Sequence, residues 1–213
     1  MSKIKLTKGE LKRQRDALAQ FQRYLPTLQL KKQQLQMKVL EARARLADLQ
    51  KKLTDQEHGI LQWVGLLADP QIKAADEQGN LLCDIKRYVI PSDIQTGTDN
   101  VAGAYVPVLK GVTFAQQDYD LYTTPFWLDR AVEVLQALMR VAVEIHITEQ
   151  RISRLNRELR VTTQRVNLFE KVKIPESLEN IRRINIYLGD QQANTVGISK
   201  VAKKKITLAA VAG

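Results

Sequence analysis

The sequence predicts a mainly α fold: a long antiparallel two-helix coiled coil with a small β-hairpin insert at the turn end. Two heptad arms and the different character of the residues between them predict it. In residues 11–63 the a-type positions are Leu11, Leu18, Leu25, Lys32, Val39, Leu46, Leu53 and Ile60, and the d-type positions are Gln14, Phe21, Leu28, Leu35, Ala42, Leu49, Gln56 and Trp63. Apolar residues repeating every 3.5 positions keep one stripe against a partner helix, and only Gln14, Lys32 and Gln56 interrupt it. A second arm repeats the pattern, with Ala131, Leu138, Ile145, Ile152, Leu159 and Val166 at a and Val134, Val141, Thr148, Leu155, Thr162 and Phe169 at d. Each arm would run about 80–95 Å as a helix.

The first arm occupies residues 1–69. Thr7 is placed to cap it, with Glu10 three residues on as in a capping box. Asp69-Pro70 ends it, because the residue before proline is pushed out of helical geometry. Pro26 lies inside the arm and off the seam, which predicts a kink, with a restart near Thr27 as the alternative.

Residues 70–126 form the insert. They hold Gly79, Gly97, Gly103 and Gly111, four of the six prolines, and β-branched runs. Tyr88–Ile90, Tyr105–Leu109 and Val112–Phe114 read as short strands, and Ser92–Gly103 as a loop or hairpin tip.

The second arm spans 127–189, opening near Thr124-Pro125 and stopping at Gly189. Its apolar phase shifts near Phe169–Ile174 to Ile174, Leu178, Ile181 and Leu188, which reads as a stutter beside Pro175. The remaining residues, 190–213, lack apolar periodicity and carry Lys203-Lys204-Lys205. They read as a basic mobile tail. The insert is too short to return the chain for parallel pairing, so the arms pair antiparallel. With Leu67 beside Trp127, Pro26 would face the neighbourhood of Leu168, and Pro175 would lie about two turns from that level.

Composition narrows the function classes. The chain has 213 residues, a formal net charge of +10 and a single cysteine, Cys83. An intrachain disulfide is therefore excluded, and a reducing compartment is expected. The N-terminus has no signal-peptide pattern and no stretch is long enough for a membrane span, so a cytoplasmic protein is expected. Charge is unevenly placed: residues 1–69 carry a net +7, 70–127 a net −3, 128–188 a net +3 and 189–213 a net +3. The end holding both termini is basic and the insert is acidic.

No phosphate-binding glycine loop is present, and His58 and His146 stand far apart with one cysteine between them, so neither a metal centre nor a catalytic triad is expected. A two-stranded rod offers no cleft to exclude water from a reaction. Catalytic residues, cofactors and metals are therefore expected to be absent. The basic charge raises nucleic acid as a partner, but Lys12, Arg13 and Arg15 are spread around the helix among Glu10 and Asp16 with no aromatic platform, which argues against it.

The segment Glu158–Glu176 contains Arg165-Val166-Asn167, then Glu170, then Ile174-Pro175, followed by Ile181 and Ile184. It resembles the signature of the D subunit of V/A-type rotary ATPases. Thr7-Lys8 before a Leu/Lys/Arg-rich helix, and the order of long helix, short β insert and long helix, resemble the same family over about residues 5–190. Two features depart from its pattern: Gln29–Gln34 stands where a Lys-Arg-Asp-type cluster is usual, and Pro26 is atypical, as in a divergent bacterial branch. The resemblance implies a non-catalytic central rotor shaft. One end would lie in a ring of catalytic A and B subunits, the other on the F subunit and the funnel-like subunit above the membrane rotor ring. It also implies peripheral association with the membrane through that complex. Lys12, Arg13, Arg15, Arg165, Asn167 and Glu170 are the candidate partner contacts. A coiled-coil adaptor or export-apparatus stalk would show the same hairpin without the Arg-Val-Asn…Ile-Pro segment, and a basic nucleic-acid-associated coil is the other alternative.

Overall fold

The computed structural model describes residues 4–61, 65, 88–114 and 127–211. Helix α1 spans Lys8–Leu61, strands β1 and β2 span Pro91–Val101 and Ala104–Phe114, and helix α2 spans Leu128–Leu168. A π-helical turn at Phe169–Lys173 leads into helix α3, Ile174–Val211. The expected end at Asp69-Pro70, the expected start at Thr124-Pro125 and Trp63 lie outside the described residues.

α1 begins as its sequence requires. The Glu10 amide donates to Thr7 Oγ1 at 3.3 Å, the N-cap bond, while the Glu10 carboxylate accepts from Gln14 Nε2 at 3.0 Å. Pro26 leaves the helix unbroken, so the restart near Thr27 does not occur. Its side chain is exposed, so the ring meets water and not the seam.

Two compact units divide the chain: one gathers Met1–Lys32 with Val161–Gly213, the other Gln33–Arg160. In the second unit α1 and α2 run antiparallel, with Arg45 on α1 bonded to Glu144 on α2 at 2.8 Å. Leu35, Val39 and Ala42 of α1 and Leu155 of α2 form its core together with Ala104 and Val106 of β2. The hairpin lies between the arms in sequence, as expected. Its tip is laid back on the helix pair, so that Val101 and Ala102 also pack on this core.

The hairpin is longer than the sequence reading. Ser92–Gly103, read as a loop, is mostly strand β1, and Tyr88–Val89, read as strand, is a helical turn. β1 is nearly all polar and exposed, with only Pro91, Gly97 and Val101 half-buried, so no alternation of apolar residues marks it. Pairing with β2 holds it in place, from Pro91↔Phe114 to Val101↔Ala104, with a register shift at Gln95/Thr96. Ala102 and Gly103 turn the chain with φ of 50° and 81°, the two positive values of a two-residue hairpin turn. Asn100 Oδ1 accepts the Gly103 amide at 2.8 Å and closes that turn.

In the first unit α1 again meets its partner antiparallel: the rings of Phe21 and Phe169 are 5.3 Å apart. That contact places Pro26 near Gln164, about one turn from the expected register, and separates Pro26 from Pro175 by about three turns. The phase change near Phe169 is present, but as a π-turn that inserts one residue. After it, Ser177, Asn180 and Ile184 are buried and Leu178 is 51% exposed, so Leu178 is not a seam residue. α3 also runs through Gly189, the expected stop. One glycine costs a helix interior about 1 kcal/mol, too little to end it alone.

Candidate functional site

The seam takes up the apolar side chains of the heptad positions and leaves a mixed surface, largely polar and charged with single exposed apolar residues such as Leu40 and Leu168, around them. Every predicted a and d position within the described residues is buried or half-buried, down to the half-buried Lys32 and Gln14. Val166 is the seam residue of the Arg165-Val166-Asn167 segment, so its neighbours Arg165 and Asn167 face solvent. Glu170 follows in the π-turn and is exposed as well. The seam therefore gives the segment a buried spine and an outward face that carries Arg165, Asn167 and Glu170 beside the exposed Leu168 and Val172.

Lys12, Arg13 and Arg15 are likewise exposed on α1. Arg13 lies 3.8 Å from Glu10, an exposed pair worth little to stability. Arg13 also borders a shallow recess of about 440 Å³, whose α3 side is Glu176, Ser177 and Asn180 and whose floor includes Ala17 and Phe21. The structure does not gather the six candidate residues into one cluster. Lys12–Arg15 lie beside the start of α3, whereas Arg165–Glu170 lie about two turns away along the pair, by the register of Phe21 on Phe169.

Sequence reasoning missed Ser177 and Asn180, two buried polar residues. Part of the signal was present: shifting the heptad by one residue after Phe169 puts Ile174, Ser177, Ile181 and Ile184 on the seam, whereas Asn180 falls just beside it.

In the other unit, a recess of about 290 Å³ lies between β2 and the two helices, lined among others by Lys38, Arg45, Glu144 and Arg151. Its charges pair among themselves: Lys38 with Glu41 at 2.7 Å, Arg45 with Glu144 at 2.8 Å, and Arg151 with Asp99 at 3.7 Å. Of these pairs Arg45–Glu144 ties the two helices together and Arg151–Asp99 ties the hairpin to α2, so the charges of the recess are engaged with one another. Among the described residues no group of three or more His, Cys, Asp or Glu is placed to hold a metal ion. No helix among them is long and apolar enough to cross a membrane.

Comparison with known proteins assigns this architecture. The sequence profile described as the ATP synthase D subunit matches residues 10–204. The V-type ATP synthase D subunit of Borreliella burgdorferi is 41% identical over 97% of this chain and 96% of its own length. The V-type ATP synthase D subunit of Chlamydia pneumoniae is 35% identical over 96% of this chain and 94% of its own, and that of Chlamydia trachomatis serovar A 34% identical over 96% and 97%. Paired helices, a small hairpin between them and near full-length similarity agree: this chain belongs to the ATP synthase D subunit family, the central-stalk component of V/A-type ATPases, which is not catalytic by itself.

Proposed function

We propose that the chain is the torque-bearing shaft of a rotary ATPase. Its termini-bearing half enters a ring of catalytic A and B subunits, and its insert-bearing part meets the F subunit and the funnel-like subunit above the membrane rotor ring. The protein would then be cytoplasmic and held at the membrane only through the complex. The observation that carries this reading is the division of the Glu158–Glu176 segment into a buried seam and an exposed, largely polar face. A segment anchored by buried seam residues such as Thr162 and Val166 keeps its shape under load, and its outward groups, polar ones together with Leu168 and Val172, remain open to other subunits.

Further features support the arrangement. From Gly189 to Leu208 every side chain of α3 is exposed, including the apolar Ile198, Val201 and Ile206. Such a helix has surface to bury against a surrounding ring. A pair of helices has no three-fold symmetry, so three equivalent interfaces around it would each meet a different face. Each orientation can favour a different state only through its own differential contacts. Basic groups such as Lys12 and Arg15 act at longer range than apolar packing and are screened by salt, which suits a surface that must turn.

Native pull-down of the tagged chain followed by mass spectrometry tests the reading. A shaft brings down A-, B- and F-type subunits in fixed proportion. Recovery with an export apparatus, or with nucleic acid in a nuclease-sensitive manner, would replace it with one of the alternatives.

A further inference from the structure

The π-turn combines a broken hydrogen-bond ladder with an unpaired charge. The Ile174 amide donates to the Phe169 carbonyl, one residue further back than an α-helix requires. The Glu170 carbonyl thereby loses the donor an α-helix would give it. A continued π-helix would supply the amide of residue 175 instead, but residue 175 is proline and has none. The Glu170 main-chain oxygen is thus left without a helical donor. The Glu170 side chain is exposed, and among the described residues no ion pair or hydrogen bond engages it. Nearby carboxylates are occupied: Glu176 by Lys173 at 3.4 Å and Glu179 by Arg183 at 3.0 Å. Asn167, one turn earlier on the same side, adds an exposed amide with no partner among the described residues.

We propose that this turn is the docking point for an arginine side chain of a catalytic-ring subunit. The inference rests on the shaft reading and names a contact within it. A guanidinium is planar, carries five donors in a fixed fork and is weakly hydrated, so it can take a carboxylate with two N–H groups and offer another to a carbonyl or amide oxygen. Water serves the carbonyl in the free chain and is displaced on docking. The free carboxylate sets a negative point between the exposed Arg165 and Lys171, and such a contrast fixes an angular position where a uniform charge would not.

The test titrates the full chain against the A/B catalytic subcomplex. Glu170→Gln, which keeps shape and removes charge, weakens binding roughly tenfold at low salt, and the difference shrinks as salt rises. Pro175→Ala, which restores an amide donor to the turn, also weakens binding. Lys171→Gln, which removes the cation of the same turn, does not. Circular dichroism confirms equal helix content in all four proteins. Binding of Glu170→Gln as tight as the unsubstituted chain overturns the proposal, and tighter binding would mark an acidic partner surface, which overturns it equally. If the unsubstituted chain fails to bind the subcomplex at all, the shaft reading itself falls, a result distinct from the first two.

Discussion

Leu35 and Leu155 are fully buried because each meets the hairpin as well as the opposing helix. Leu53, an a position farther along α1, has no such third layer and is half-buried. Truncation should separate them. Leu155→Ala should cost about 2–5 kcal/mol, as at a globular core site, and Leu53→Ala clearly less. Urea unfolding followed by circular dichroism measures both, and equal costs would contradict the three-layer packing. At this scale the sequence is most legible where periodicity is regular. The seam from Leu11 to Ile60 can be read directly, since one side chain in every three or four must avoid water. It fails at Leu178 and Ile184, because a π-turn advances the helix by one residue and Pro175 gives no measure of that step. The six candidate contact residues were legible as a motif and as charges, but their exposure was not. Exposure depends on Val166 facing inward, and on a register that differs by about one turn from the one the sequence suggests.

Among the elements, the hairpin was the least legible. β2 announces itself with Tyr105-Val106-Pro107-Val108-Leu109, whereas β1 is polar because its side chains meet water. Nothing in composition marks the tip as a core element, yet Ala104 is 2% exposed and Val106 fully buried. That placement depends on the turn. Gly103 has a φ of 81°, which a β-branched residue adopts only with strain of roughly 1–2 kcal/mol. Gly103→Val should therefore loosen β1 and β2 and expose the Leu35–Leu155 core at its hairpin side. Hydrogen exchange would report faster exchange across Asp99–Val106, with the amides near Phe21 unchanged; uniform protection would contradict the account. The last stretch of α3 makes a second case. It mixes good helix formers with two glycines and several β-branched residues, and its side chains are exposed through Leu208, so periodicity is a poor guide there. Ending the chain at Leu188 should leave the thermal unfolding midpoint within a few degrees, because the exposed side chains removed contribute little burial. A large drop would show that the segment is packed in solution.

For the whole molecule, near full-length similarity to ATP synthase D subunits and the paired-helix architecture make one account. The sequence carries no phosphate loop, and the charged groups lining the recess beside the hairpin are already engaged in ion pairs, so the isolated chain should neither bind nor hydrolyse ATP. Calorimetry on the pure protein should record no stoichiometric nucleotide binding. The more demanding claim is that torque passes through this chain. Loss of residues 190–213 removes a stretch of α3 that is exposed from Asp190 to Leu208, whereas a cut through Arg165–Pro175 removes the partner of Phe21 and the outward face proposed to meet the ring. The direct measurement is ATP hydrolysis and ion transport recorded side by side in vesicles reconstituted with complexes carrying each truncation. The account predicts that the chain cut through Arg165–Pro175 leaves hydrolysis running while transport per ATP collapses. Undiminished transport per ATP in that complex would show that this chain does not carry the torque.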